Sequence, residues 1–465
     1  MTPIKFGTDG WRAIIAQDYT TDNVARVAKA TADWINNRSD SPKAVIGFDC
    51  RFGGPMFAQL TARVLAENGV KVAIDPNFSS TPMVSLGALQ HNATAGIVIT
   101  ASHNPPSYNG FKIKDGFGGP AVPAEISKIE ELIPNSYPIP LMSYEDYQRA
   151  GMIEEVDLET AYYKHCEDTL DMEAIRDSGL YVAYDAMYGA GQSVLGKLLP
   201  QATILHNDYN PSFKGQAPEP LDKNLTELRE LLQGGGYDFG LATDGDADRI
   251  GMYDGEGNFV DAHHVILLLI HILYKYKGLK GKVIIAFSVS NKVKKLCEHY
   301  GLEYQVTKIG FKYICEIMTK EDVLVGGEES GGIAVKGHIP ERDGIWDGLV
   351  ILEHMAKSGK SVRDLIQEVY EIVGPFAYNR NDLHITNELK QSIIEKCKNG
   401  EYKSFGRYTV EGVEDIDGFK FHLTDDCTVM IRPSGTEPVL RVYGEAKDAD
   451  LVEKVLEATR NTILP

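Results

Sequence analysis

The sequence predicts an α/β protein: three similar α/β domains with mixed, mainly parallel sheets, then a smaller C-terminal α+β domain, all arranged around a central cleft. Three observations carry that expectation. Three segments begin as a short apolar strand, turn, and continue as a helical pattern: "AVIGFDCRFGGPMFAQLTARVLAENGV", "YVAYDAMYGAGQSVLGKLL" and "VIIAFSVSNKVKKLCEHYGL". Each is followed some tens of residues later by a second apolar strand ending in an unusual polar loop: "AGIVITASHNP", "FGLATDGDADR" and "VLVGGEESGG". After about Gly374 the grammar changes to strands joined by polar turns.

Strands alternating with helical stretches need crossover connections and hence parallel sheets. One grammar used three times points to duplication at the domain scale. The boundaries expected on this reading are 1–152, 153–257, 258–373 and 374–465. In the last segment "AYNRNDLHI", "YTVEGVEDIDGFKFHL" and "CTVMIRPSGTEPVLRVYGEA" read as strands, and Ala446 to Thr462 as a closing amphipathic helix. Ligands of parallel α/β sheets sit beyond the carboxyl ends of the strands, so the three equivalent loops can face one shared cleft.

Composition bounds the function. At 465 residues the chain exceeds one core, and 43% apolar with 24% charged residues is the make-up of an ordinary globular protein. A formal charge of −19 repels polyanions, so neither nucleic acid nor an anionic membrane is an expected partner. A small anion is compatible only where local basic residues overcome that field. Cys50, Cys166, Cys297, Cys315, Cys397 and Cys427 are scattered without a C-x-x-C pair, which reads as reduced, mostly buried thiols. The opening "MTPIKFGTDGWR" has no apolar signal segment, and the longest aliphatic run, Val265 to Ile270, is too short to span a bilayer. The expected location is the cytoplasm.

The chemistry concentrates in four loops. "DGDADR" places Asp244, Asp246 and Asp248 at alternate positions, where a turn lets three carboxylates converge on one cation. An EF-hand is excluded, because its sixth position would be Arg249 and its twelfth Gly255. A few oxygen ligands suit Mg²⁺, which also takes a phosphate oxygen; the plainer reading is a solvated acidic turn. "RPSGTEP" combines the Arg432 guanidinium, two hydroxyls and a glycine, with Arg441 on the following strand. That set fits a phosphate, and equally a plain hairpin turn. "GGEESGG" has no Walker lysine; Glu328 and Glu329 beside Ser330 offer acceptors for vicinal hydroxyls, or form a flexible acidic loop. In "TASHNPPSYNGFK", Pro105 and Pro106 stiffen the turn that presents Ser102, with His103 and Lys112 near it in sequence. No G-x-S-x-G elbow surrounds Ser102.

Together, in order and across nearly the whole chain, "TASHNP", "DGDADR", "GEESGG" and "RPSGTEP", with "GTDGWR" at the start, closely resemble the α-D-phosphohexomutase superfamily. The resemblance implies four domains and an isomerase that interconverts hexose 1-phosphate and hexose 6-phosphate, with glucose and/or mannose as the sugar. It implies an intramolecular phosphotransferase working through a phosphoserine and hexose 1,6-bisphosphate, the latter also its activator. Ser102 matches the phosphorylated serine, and Asp244, Asp246 and Asp248 match the residues that bind Mg²⁺ together with its phosphate. Glu328 and Ser330 match holders of sugar hydroxyls. Arg432, Ser434, Gly435 and Thr436 match the grip on the phosphate that is not transferred. Arg12, His103, Lys112 and Arg249 match positions around the phosphoserine; Lys308 in "TKIGFK" and His338 in "GHIPERDG" match further active-site positions. In this scheme Lys112 is the general base, supported by His338 and positioned by His103.

Thr-Ala-Ser and Glu-Glu-Ser resemble the glucose/mannose mutases. Glu329 and Gly332 depart from the Glu-Gln-Ser-Gly-His commoner in glucosamine mutases, while Gly331 stands where the glucose-preferring branch often has Phe. Three alternatives remain open: a phosphoglucosamine mutase, a non-catalytic sugar-phosphate sensor and a metal-dependent phosphatase. The expected partner is a small sugar phosphate, and the expected assembly a monomer or homodimer.

Overall fold

The computed structural model describes residues 4–7, 10–433 and 439–464. Its first sheet contains β1 (Trp11–Ile14), β2 (Lys43–Phe48), β3 (Lys71–Ile74), β4 (Ala95–Ile99), β5 (Tyr108–Asp115), β6 (Gly119–Pro120) and β7 (Ile153–Glu155). Their lateral order is β1-β5-β4-β2-β3-β7, with β6 on β5. From β4 to β7 the strands run parallel, whereas β5 returns antiparallel to β4 and β1 antiparallel to β5. β7 lies past the expected boundary at 152 yet pairs in this first sheet, with the buried Ile153 beside Val72.

The second sheet repeats the plan with β8 (Val182–Asp185), β9 (Thr203–Leu205), β10 (Phe239–Thr243), β11 (Ile250–Asp254) and β12 (Phe259–Val260), ordered β12-β11-β10-β8-β9. Here β10, β8 and β9 are parallel, while β11 returns antiparallel to β10. The third set is β13 (Lys282–Ala286), β14 (Tyr304–Thr307), β15 (Val323–Gly327) and β16 (Ile333–Val335), with β16 antiparallel to β15. Each unusual loop is therefore a hairpin connection: β4 to β5, β10 to β11 and β15 to β16. The first two sheets are parallel in the centre and antiparallel at one edge, mixed as expected. β4, β10 and β15 are buried along their whole length, which is why they read as unbroken apolar runs.

The chain packs as two compact units, Met1–Ile284 with Gly310–Ile366, and Ile285–Ile309 with Gln367–Pro465. In the first, Trp34, Ile46, Leu65, Ile97 and Phe111 belong to one apolar core around the first sheet. In the second, β17 (Ala377–His384), β18 (Ser404–Phe405), β19 (Tyr408–Glu414), β20 (Phe419–Leu423), β21 (Cys427–Pro433) and β22 (Val439–Ala446) form a sheet ordered β17-β22-β21-β20-β19-β18. Adjacent strands are antiparallel throughout. The closing helix spans Ala449–Ile463, because the Asp448 carboxylate caps it by accepting from Leu451 N at 2.9 Å. A second helix, Asn387–Lys398, was not legible as such in the sequence.

The aliphatic run at Val265 to Ile270 lies inside the buried helix Ala262–His271. No helix among the described residues is long and apolar enough to cross a membrane. All six cysteines are buried and unpaired.

Candidate active site

The serine loop leaves β4 under strain. Ser102 has φ +52°, a left-handed conformation that non-glycine residues hold only when their surroundings impose it. Its amide donates to Thr100 Oγ1 at 2.8 Å, and that hydroxyl donates to Asp49 Oδ2 at 2.6 Å. Arg51, wholly buried, is the main clamp. Its Nε donates to Asp49 Oδ2 at 3.0 Å and its Nη1 to the carbonyls of Pro105 at 3.0 Å and Tyr108 at 3.2 Å. Its Nη2 donates to the carbonyl of Ser102 itself. On the far side of the turn, Arg12 Nη1 on β1 donates to Asn104 Oδ1 at 2.6 Å. The proline pair and these two guanidinium groups hold the serine in one pose.

That pose points at the acidic loop. Ser102 Oγ donates to Asp244 Oδ2 at 2.7 Å and lies 3.3 Å from His103 Nδ1. Asp244, Asp246 and Asp248 are fully buried, and each offers an oxygen within 4.8 Å of the others. Burial first, then the charges of Asp246 and Asp248, push Asp244 well above the usual carboxylate range. Such a cluster is tolerable only with cations. Lys112 Nζ, from β5, donates to Asp246 Oδ2 at 2.7 Å and to Asp248 Oδ2 at 2.8 Å. Thr81 opens the helix Thr81–Gln90 and donates its Oγ1 to Asp246 Oδ2 at 2.6 Å and its amide to the Asp246 carbonyl at 2.9 Å. The positive end of that helix thus faces the loop. Asp248 Oδ1 is buried without a hydrogen-bond partner among the described residues. Three converging carboxylates, with one buried oxygen unsatisfied, fit a divalent cation of the Mg²⁺ type.

The sugar-loop candidate caps β15. Glu328 N donates to the Gly332 carbonyl at 3.0 Å, and Gly331 N to the Glu328 carbonyl at 3.2 Å, closing a tight turn. Gly331 has φ +86°, and a Cβ there would lie 2.5 Å from the Ile250 carbonyl. A bulkier residue at 331 is excluded on both counts. Ile250 N donates to the Gly331 carbonyl at 3.0 Å, joining this turn to the strand that leaves the acidic loop.

Comparison with known proteins resolves what the geometry serves. Sequence signatures of the phosphoglucomutase/phosphomannomutase α/β/α domains I, II and III match residues 3–138, 160–257 and 261–373, and that of the C-terminal domain matches 396–462. The chain belongs to the phosphoglucomutase/phosphomannomutase family. It is 29% identical to a phosphoglucomutase/phosphomannomutase of Thermococcus kodakarensis, over 97% of this chain and 96% of the relative. It is 30% identical to a phosphoglucosamine mutase of Carboxydothermus hydrogenoformans, over 97% of each. The crystal structure of a candidate phosphomannomutase from Thermus thermophilus superposes with a TM-score of 0.88 at 32% identity, covering 100% of both chains. The chain is thus a phosphohexomutase, an isomerase that moves phosphate within a sugar phosphate.

In the mutase, most of the sequence-derived set comes together inside the first unit: Ser102, His103, Lys112, Arg12, Arg249 and the three aspartates. Arg249 N donates to Asp244 Oδ1 at 3.1 Å, and its guanidinium lies 3.6 Å from Glu219. His338 lies beside the Asp343 helix cap. Its Nε2 lies 3.0 Å from Asp343 Oδ2, its Nδ1 3.0 Å from His165 Nε2, and its ring stacks on Trp346 at 4.1 Å. With both nitrogens engaged and the side chain buried, it braces the Asp343 cap of the helix Gly344–Ser358.

Three further residues of the mutase belong to the second unit. Lys308 is exposed. Arg432 on β21 and Arg441 on β22 are directly opposite each other. Like charges in that register repel. Asp417 takes Arg432 at 3.3 Å and 3.4 Å, while Arg441 Nε is buried without a partner among the described residues. Ser434, Gly435 and Thr436 lie outside the described residues.

Sequence reasoning missed Arg51, Thr81 and Arg342, whose Nη2 donates to Asp248 Oδ2 at 2.7 Å. A charged Asp-x-Arg at the carboxyl end of the apolar β2 was the available signal for Arg51. Thr81 carried none, its partner being 165 residues away, and Arg342 lay within "GHIPERDG" with nothing local to point to Asp248, 94 residues away.

Burial, then the nearby charges of Arg249 and Arg12, push the His103 imidazole well below its usual range. Unfolded chain takes up this proton near the ordinary value of about 6.5, while the folded mutase does not. Stability therefore falls as pH drops below that value. Nitrogen-15 NMR of the imidazole is expected to show a neutral ring at about pH 6; an imidazolium spectrum there refutes the assignment.

Proposed function

We propose that this mutase interconverts hexose 1-phosphate and hexose 6-phosphate, with glucose and/or mannose as the sugar, through phospho-Ser102 and a hexose 1,6-bisphosphate. The carrying observation is the 2.7 Å contact between Ser102 Oγ and Asp244, inside the only group of three acidic ligands found among the described residues. Nucleophile and cation site share one spot.

Asp244, Asp246 and Asp248 would hold Mg²⁺, which would neutralise charge on the phosphoryl oxygens. The bond from phosphorus to Ser102 Oγ breaks as a bond to the free sugar hydroxyl forms. Lys112 receives the hydroxyl proton as a neutral amine, its Nζ having first left the Asp246 and Asp248 oxygens and released a proton to solvent. The strained loop, clamped by Arg51 and Arg12, keeps Ser102 aligned and spares reorganisation during transfer. Glu328 and Ser330 accept and donate to sugar hydroxyls, and the opposed Arg432 and Arg441 bind a substrate phosphate. The bisphosphate turns end for end, its other phosphate returns to Ser102, and the cycle closes.

The test compares turnover of glucose, mannose and glucosamine 1-phosphates with catalytic hexose 1,6-bisphosphate. Turnover is expected on a neutral hexose above glucosamine, with phosphate on Ser102 by intact mass. The relative named a phosphoglucosamine mutase keeps the 2-amino sugar as the second reading, and a glucosamine preference would select it. Free phosphate as the main product indicates a phosphatase. An unphosphorylated Ser102 with no turnover indicates a sensor.

A further inference from the structure

The sugar loop has a partner in Arg342, within "GHIPERDG". A Cβ built on Gly332 would lie 2.5 Å from Arg342 Cδ, 3.3 Å from its Cγ and 3.6 Å from its Nε. Gly332 is not among the glycines with positive φ, so the backbone itself accepts alanine. What excludes a side chain at 332 is the stem of Arg342.

That stem cannot easily move aside. Arg342 Nη2 donates to Asp248 Oδ2 at 2.7 Å, Nη1 lies 3.8 Å from Glu328 Oε2, and Nε lies 3.8 Å from Glu341 Oε1. The guanidinium sits over the Phe311 ring, 5.2 Å from its centroid, and the side chain is buried. The backbone beyond is pinned too: Asp343 N donates to the Ile333 carbonyl at 3.2 Å, and Gly344 N to the Ala247 carbonyl at 3.1 Å. One cation therefore spans a ligand of the acidic loop and the acceptor of the sugar loop.

We infer that Arg342 is a specificity-determining and positioning residue, which holds Glu328 against Asp248, fills the space of any side chain at 332, and favours neutral hydroxyl sugars over a 2-ammonium sugar. The inference rests on the proposed assignment of Glu328 to sugar hydroxyls. Glu328 beside a guanidinium keeps acceptor capacity for neutral hydroxyls, while a second cation on the sugar meets repulsion instead of a free carboxylate. Rejection by like charge is an ordinary source of discrimination.

Five variants test it: Gly332→Ala, Arg342→Gln, Arg342→Lys, Arg342→Ala and the double Gly332→Ala/Arg342→Ala. Arg342→Gln is expected to lower the kcat/KM ratio of neutral hexose 1-phosphate over glucosamine 1-phosphate by about tenfold. Arg342→Lys, which keeps the charge, is expected to retain much of that ratio. Mn²⁺ affinity, titrated by EPR with no sugar present, reads the contact with Asp248. Gly332→Ala is expected to shift it severalfold in the wild-type background and hardly at all in Arg342→Ala. Additive effects of the two substitutions on Mn²⁺ affinity overturn the steric coupling, and an unchanged sugar ratio in Arg342→Gln overturns the specificity role. If wild-type protein turns over none of the sugars, the proposed function fails, while the Mn²⁺ cycle still decides the coupling.

Discussion

Ser102→Ala is expected to lower turnover on every hexose phosphate by roughly 10⁴-fold or more, the scale seen when a covalent nucleophile is removed. The variant keeps the clamp, because Arg51 grips the backbone carbonyl of residue 102 and Thr100 grips its amide, neither of which needs the hydroxyl. Only the Oγ contacts with Asp244 and His103 disappear. Loss of activity with an unchanged unfolding midpoint and no phosphate by intact mass is the expected result. Residual turnover above a few per cent of wild type would dismiss Ser102 as the phosphoryl carrier. Serine at φ +52° is held in a conformation that costs of order 1–3 kcal/mol, and its surroundings sustain that cost at a residue that meets both the acidic cluster and a histidine.

Arg51→Met is expected to be the most damaging substitution outside the aspartates. Removing one partner of a buried ion pair costs about 3–5 kcal/mol, because the other charge stays behind. Here Asp49 remains fully buried, and the carbonyls of Ser102, Pro105 and Tyr108 lose a donor. Asp49 is already raised to about 6, by burial first, with Arg51 opposing the rise. Without Arg51 it rises further. A carboxyl raised in the fold favours the folded state below its unfolded value and loses that contribution as pH climbs through the folded value. The variant is therefore less impaired at about pH 5 than at about pH 8, as urea midpoints at the two values will show. Adding Asp49→Asn is expected to recover stability without recovering turnover, since the loop carbonyls stay unclamped. A pH-independent loss contradicts the role given to Asp49.

Lys112 and the aspartates illustrate how far a sequence motif reaches. Alternate aspartates in one loop and a lysine close after the serine in another announced a charged site, and the structure does gather them. Local spacing could not show that the ammonium itself bridges Asp246 and Asp248. Nor could "GHIPERDG" show which of its residues turns toward the acidic loop. His338 faces His165 and Trp346, while Arg342, four residues on, reaches Asp248.

The order of domains, the position of the four loops and the identity of the serine and its three acidic neighbours were all written along the chain. Strand and helix periodicities, turn-forming residues and short chemical motifs depend on neighbours within about ten positions, so reading them requires no knowledge of the fold. Only the tertiary structure decided that the first three loops are hairpins, that Arg51 grips the serine turn, that Thr81 and Arg342 hold the acidic loop, and that Gly332 is kept bare by an arginine stem. Those outcomes depend on which distant segments pack together, and a buried charge finds its partner through space, whatever the separation along the chain.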